Sequence, residues 1–161
     1  MATFEMDNKK RFNTDEKKIQ AGFQDGRTKK VFDSLTIAGG GTPLALNDEL
    51  NMGEKLPEGA IIVDAYVKIS DTTGATGQLS MGLRAHDNLA EASVAEDDNS
   101  LVEIADSGGQ SALKRSDNTN VALGTQIGKG GADIFLKEVE GQASIPGGGL
   151  TVLAMVEYLL P

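Results

Sequence analysis

The sequence predicts an all-β fold, an antiparallel β-sandwich of jelly-roll or Greek-key type with about eight strands, preceded by an N-terminal arm that contains a short helix. Three observations lead there. Extended, apolar-alternating segments succeed one another from Val31 to the C-terminus with no alternation of strand and helix. The loops between them are of unequal length, which favours a sandwich over an up-and-down barrel. Glycine is plentiful, 20 residues against 4 prolines, yet its pairs and triplets follow no fixed period, so a collagen, solenoid or propeller architecture is excluded. The 161 residues suit one domain with a core of its own, and with only 4% aromatics that core must be built from Ile, Val, Leu, Met and Ala.

Residues 1–30 form the arm and 31–161 the sandwich domain. The arm holds Phe4, Phe12 and Phe23 among Lys9, Lys10, Arg11, Lys17, Lys18, Arg27, Lys29 and Lys30. Against five acids this gives it a charge of +3, while the remainder carries −12. Thr14 reads as an N-cap, Asp15 and Glu16 suit the positive start of a helix, and Gly22 can end it. Two readings of the arm stay open. In one it is a docking strip whose rings fill pockets and whose charges steer a partner; in the other it is a terminus with Phe23 and Phe32 packing under the domain.

The domain begins with a strand over "VFDSLTIA", closed by Gly39–Gly41, and continues through an irregular edge segment, "TPLALNDELNMG". In "GEKLPEGAIIVDAYVKI" Pro57 presets a turn and Gly59 supplies positive φ, so the chain reverses before Ala60. The strand Ala60–Ile69 then alternates, with Ile61, Val63, Ala65, Val67 and Ile69 expected on the buried face and Ile62, Asp64, Tyr66 and Lys68 on the other. "SDTTGATG" turns the chain into "QLSMGLRA", and the two strands are expected to pair as a hairpin. "DNLAEASVAEDDN" reads as an alanine-rich helix or a long loop. A strand at "SLVEIA" and a loop at "DSGGQSALKRSDNTN" follow. Further strands at "VALGTQIG", "ADIFLKEV" and "LTVLAMVEYL" complete the order, the last after a "PGGG" turn.

Chemistry-bearing patterns are scarce. With no cysteine there is no disulfide framework, thiolate metal site or cysteine nucleophile. His86, the single histidine, stands beside Asp87 but has no serine elbow to serve, and reads as an exposed loop residue. "GTQIGKGGAD" (Gly124–Asp133) has a phosphate-loop flavour, but it is one residue short between its glycines and carries Gly130 where a hydroxyl should bind magnesium. Glu96, Asp97 and Asp98 could offer oxygens to calcium, though without EF-hand spacing they read as a solvated acidic loop. A sugar site would need aromatic platforms, and there is no tryptophan. No cofactor is expected and no enzymatic activity. The acidic domain argues against nucleic acid and anionic membrane, and the interleaved acids of the arm weaken a nucleic-acid reading there too. "MATFEMDNKKRF" lacks the apolar core of a signal peptide, and the longest apolar run is too short to span a bilayer, so synthesis in a cytoplasm without secretion is expected.

The stretch "LNMGEKLPEGAIIVDAYVKISDTTGATGQLSMGLRA" resembles small accessory proteins of tailed-bacteriophage particles, of the head decoration (cement) type. The residues that carry the resemblance are Leu50, Gly53, Leu56, Pro57, Gly59 and Ala60, then Val63, Asp64 and Val67; "PGGGLTVLAMVEYL" is similar in style to the last strand of such proteins. About a third of the chain is covered, and the motif is structural rather than chemical. The resemblance implies a non-enzymatic virion protein on the capsid surface that binds the major capsid protein. It also implies self-association, with trimers favoured because cement proteins often occupy three-fold positions. Head-fibre or tail accessory proteins, and a receptor- or carbohydrate-binding β module, are the alternatives.

Overall fold

The computed structural model describes residues 3–5, 28–71, 77–106, 112–117, 120–142, 145 and 147–160. Among them are eleven strands: β1 (Thr3–Glu5), β2 (Lys29–Ile37), β3 (Glu49–Leu56), β4 (Ile61–Asp71), β5 (Gln78–Leu83), β6 (His86–Asp87), β7 (Ser93–Val94), β8 (Asp97–Asp106), β9 (Ala112–Arg115), β10 (Ala132–Glu138) and β11 (Leu150–Leu159). One sheet has the order β1-β3-β10-β5-β8, the second has the order β2-β11-β4-β9, and β6-β7 form a small ribbon. Neighbouring strands are antiparallel throughout, except that β1 runs parallel to β3. The expected antiparallel sandwich is therefore present. The expected helix at Thr14–Gly22 lies outside the described residues.

Period-two alternation places the core. β11 is regular, burying Leu150, Val152, Ala154, Val156 and Tyr158 while its alternate residues are only half covered. β2 contributes Val31 and Leu35 to the same layer, and β4 contributes Ala65, Val67 and Ile69. The facing sheet supplies Leu50, Leu56, Leu79, Met81, Leu83, Ile134 and Leu136. Each such large apolar side chain, once fully buried, contributes about 1.5–3 kcal/mol. Aliphatic side chains thus do the work that aromatics do in many small β proteins.

β4 departs from simple alternation. Asp64 opposes Glu157, but Ile62 opposes the very next residue of β11, Tyr158, so Val63 is an inserted residue. The bulge is held by Asp64, whose Oδ1 accepts from the Ala65 N–H at 2.9 Å and from Ser116 Oγ at 2.7 Å. It reverses the facing of the strand's first part. Ile62 is buried and Val63 is 44% exposed, against the expectation that Ile61 and Val63 share the inner face with Ala65, Val67 and Ile69.

The pairing also differs from the expected hairpin, since β4 and β5 belong to opposite sheets. From β2 through β5, and again from β8 through β11, each turn carries the chain across the sandwich. The turn before β4 is of this kind: Gly59 has φ of +82° and the Ala60 N–H reaches the Pro57 carbonyl at 3.2 Å. "VALGTQIG" is a turn with two isolated bridges rather than a strand, because its N–H groups bond back to nearby carbonyls and to β4. The alanine-rich segment after His86 holds the β6-β7 ribbon, and β9 occupies part of the expected loop.

Close approach explains one glycine. β8 bulges strongly where it passes β5, Met81 opposing Val102 and Leu83 opposing Asp97. A Cβ on Gly82 would collide with the Asp97 carbonyl, so only glycine lets the bulged strand lie against β5.

Two buried carboxylates tie the sheets and their turns together. Asp33, fully buried on β2, accepts from the Gly53 N–H of β3 in the facing sheet at 2.8 Å. Oε1 of Glu138, also fully buried, accepts from the N–H groups of Gln78 (2.8 Å), Gly141 (3.0 Å) and Glu140 (3.2 Å). Burial raises the Glu138 pKa above the usual glutamate value despite these bonds. Glu138→Ala deprives three backbone donors of one acceptor and is expected to cost about 3 kcal/mol in denaturant unfolding. Glu138→Gln, which keeps an acceptor oxygen, should cost less. The raised folded-state pKa means the folded chain holds the proton longer, so this group's contribution falls as pH rises through that pKa, and Glu138→Gln should remove that slope.

Candidate functional site

The outer face of the sheet β2-β11-β4-β9 carries a group of partly exposed apolar side chains. Alternation turns one set of residues from each strand outward, and the register arranges them in rows across the sheet. One row is Phe32–Met155–Tyr66–Arg115, and the next is Ser34–Leu153–Lys68–Leu113. Beyond them lie Thr36–Thr151 on one side and Lys30–Glu157–Asp64 on the other. Phe32 is 46% exposed and Leu113 59%. A shallow apolar depression of about 110 Å³ runs between Phe32, Tyr66, Leu113, Leu153 and Met155.

Electrostatics on this face are internally balanced. Lys30 Nζ lies 2.7 Å from Glu157, and Arg115 pairs with Asp64. The Glu157 carboxylate raises the Lys30 pKa. Partial burial alone would raise that of Asp64, but hydrogen bonds from Arg115, Ser116 and the Ala65 N–H outweigh it and hold the carboxyl below the usual aspartate value. Arg115 also lies 5.8 Å from the Tyr66 ring centroid.

The outer face of the other sheet is built differently. Its aromatic residue, Phe135, is fully buried beneath the Arg84 guanidinium, 3.9 Å from the ring centroid. Arg84 in turn reaches Glu49 at 2.6 Å, Asn51 at 2.9 Å and Glu96 at 3.0 Å, and Lys137 reaches Asp98 at 2.8 Å. A charged lattice covers this sheet.

The chemistry-bearing candidates assemble no reaction centre. His86 sits in β6 with Nδ1 2.8 Å from the Arg84 carbonyl oxygen. It borders a largely apolar cleft of about 440 Å³ together with Leu83, Val94, Ser100 and Ala122. The Ser100 hydroxyl is occupied by backbone, donating to the Asp97 carbonyl at 3.2 Å and accepting from the Leu83 N–H at 3.3 Å. Glu96 and Asp98 serve the ion pairs just described, and Asp97 Oδ1 accepts from the Asn99 N–H at 3.2 Å. No group of three or more metal-ligating side chains occurs among the described residues. In the glycine-rich loop the N–H groups of Ile127, Gly128 and Gly131 bond to the carbonyls of Ala60, Asp87 and Gly128. Backbone donors spent in this way cannot cradle a phosphate.

Of the arm residues, Phe4 lies in β1, while Lys29 and Lys30 lie in β2. Lys9, Lys10, Arg11, Phe12, Lys17, Lys18, Phe23 and Arg27 lie outside the described residues. Sequence reasoning did not single out the outer apolar face. Its signal was a second apolar set, Phe32, Tyr66, Leu113, Leu153 and Met155, out of phase with the core.

The whole architecture has counterparts of known structure. The chain is similar to one in the capsid of Ralstonia phage GP4, with a TM-score of 0.62 and 18% identity over 99% of each chain. It is also similar to one in the cyanophage Pam1 capsid asymmetric unit, with a TM-score of 0.55 and 18% identity, covering 92% of this chain and 96% of that one. The fold is one found in phage capsids. No protein-family model matches the chain, and no curated protein matches it in sequence.

Proposed function

We propose that this chain is a non-enzymatic structural component of a phage virion, a decoration or cement protein that binds the major capsid protein on the outside of the shell. The observation that carries the reading is the end-to-end correspondence of its fold with chains of two phage capsids at nearly matched length. A sandwich whose described residues assemble no reaction centre suits such a role, which needs surfaces rather than catalytic groups. The strand orders β2-β11-β4-β9 and β3-β10-β5-β8 support reading the sandwich as a jelly roll, in which the first long strand lies beside the last.

In this reading the protein is made in the host cytoplasm and added to the particle. The basic arm is the tether. Phe4, Phe12 and Phe23 anchor it, while Lys9, Lys10, Arg11, Lys17, Lys18, Arg27, Lys29 and Lys30 steer and hold it against the shell. Copies gathered as trimers at three-fold positions would gain avidity from several simultaneous contacts. Sedimentation of purified protein with capsids of the source phage that lack it tests the proposal. Saturable binding at a fixed ratio to the major capsid protein is expected, weakened by salt. Failure to co-sediment at any ionic strength would contradict it.

A further inference from the structure

We propose that the cleft between the β6-β7 ribbon, the start of β8 and the turn 121–126 binds a basic–apolar peptide segment of the shell. The inference deepens the virion reading and rests on it for the source of the segment, although the chemistry of the cleft can be measured on the isolated chain. Backbone hydrogen bonds fix its walls. The Ala122 N–H reaches the Ser100 carbonyl at 3.1 Å and joins the turn to β8, while the Gly128 N–H reaches the Asp87 carbonyl at 2.8 Å and joins the same loop to the ribbon. The space of about 440 Å³ between them is lined mainly by apolar groups, among them Leu83, Val94, Val121 and Ala122. That size falls within the roughly 300–1,000 Å³ of ordinary ligand sites.

Hydrogen bonding defines the guest. Most donors that line the cleft are already engaged. Ser100 Oγ donates to the Asp97 carbonyl at 3.2 Å, Thr125 Oγ1 to that of Ala122 at 2.6 Å, and the Gln126 amide to that of Gly59 at 3.3 Å. His86 Nδ1 lies 2.8 Å from the Arg84 carbonyl oxygen and so carries the proton, which leaves Nε2 of the neutral ring an acceptor. Gln126 Oε1 and one carboxylate oxygen of Asp97 also lack a donor among the described residues. Asn88 keeps its amide N–H groups for a peptide carbonyl, since only its Oδ1 is taken, by the N–H groups of Ala90 and Ala92. A cleft in which acceptors outnumber donors takes a donor-rich guest.

Charge agrees. Asp97 and Val121 also border a smaller polar hollow of about 160 Å³, completed by Asn99, Glu103 and Asn120. Glu96 and Asp98 are paired with Arg84 and Lys137, but neither Asp97 nor Glu103 has a basic partner among the described residues. Uncompensated negative charge therefore stands at one end of an apolar cleft. An apolar side chain seated against Val94 and Ala122, next to a lysine or arginine reaching Asp97 and Glu103, complements both halves. Held by the sandwich as well as by the arm, the protein gains avidity for the shell.

The chain has no tryptophan, so the emission of acetyl-Trp-Lys-Lys-amide reports its own binding. Added chain should shift that emission saturably to the blue, while acetyl-Trp-Glu-Glu-amide shows no shift. Val121→Arg sets a competing cation where cleft and hollow meet, at a site 68% exposed where circular dichroism can confirm folding. It should weaken the basic peptide about tenfold or more. Asp97→Asn combined with Glu103→Gln keeps the shape and removes both charges. This pair should weaken the peptide about fivefold and flatten its salt dependence. On capsids that lack the protein, Val121→Arg with its arm intact should bind about tenfold more weakly than the parent, and excess basic peptide should displace the parent. No shift with the parent chain, or equal binding of the acidic peptide, overturns the proposal. So does a Val121→Arg protein that holds capsids as tightly as the parent, which leaves the virion reading standing. A parent that binds the peptide but no capsid overturns both.

Discussion

Val67→Asp is expected to abolish folding. Val67 is fully buried at the centre of β4, between Ala154 of β11 and Lys114 of β9, and its side chain points into the space between the sheets. A carboxylate there loses its water and meets aliphatic neighbours from the facing sheet. Burial of an unpaired charge costs several kcal/mol even after the group protonates. Whole-domain stability is only about 5–15 kcal/mol, so little or nothing remains. Val63→Asp, four residues away on the same strand, is the informative partner. The bulge turns Val63 outward, so this change should cost no more than about 1 kcal/mol, and exposed Lys68→Ala about 0.5 kcal/mol or less. Soluble yield and urea unfolding of the three variants would test the facing of β4. A Val67→Asp protein that unfolds like the parent would show that the strand's assigned core side is wrong.

Deletion of residues 1–27 is expected to leave a folded sandwich that has largely lost its hold on the capsid. The cut preserves all of β2, including the Lys30–Glu157 pair, and removes β1, a three-residue strand at the edge of β3. The deleted segment carries six of the fifteen basic side chains and three of the five phenylalanines. Single anchoring residues at interfaces cost roughly 2 kcal/mol or more, so their joint loss should weaken binding by several kcal/mol, at least about a thousandfold. Phe12→Ala should reproduce part of the loss, mainly through faster release. Combined alanine changes at Lys9, Lys10 and Arg11 should act mainly on association rate and salt dependence. Melting and capsid binding are to be measured on the same truncated protein. A sharply lowered melting temperature would mean that the arm belongs to the core; undiminished binding would mean that it is no tether.

The sandwich was legible in the sequence because each long strand writes its own period of two. β11 is the clearest case, its buried and half-covered residues alternating over the full strand. The facing of early β4 was not legible: Ile61, Ile62 and Val63 are all apolar, so an inserted residue leaves no trace in the pattern. Sheet membership was hidden for a different reason. β4 and β5 are neighbours in sequence, but their partners, β11 and β10, lie far along the chain, and period-two alternation says nothing about which strand pairs with which. The outer apolar face fell between the two cases. Tyr66 and Met155 are visible in the sequence, but only the register brings them beside Phe32 and Leu113 in adjoining rows.

A cryo-electron map of the source phage particle tests the central claim most directly. This sandwich is expected as repeated density on the outer surface of the shell, touching the major capsid protein at equivalent lattice positions, with the arm continuing onto the shell. A complete capsid map with no such density, or with the chain found only at a tail or fibre, would contradict it.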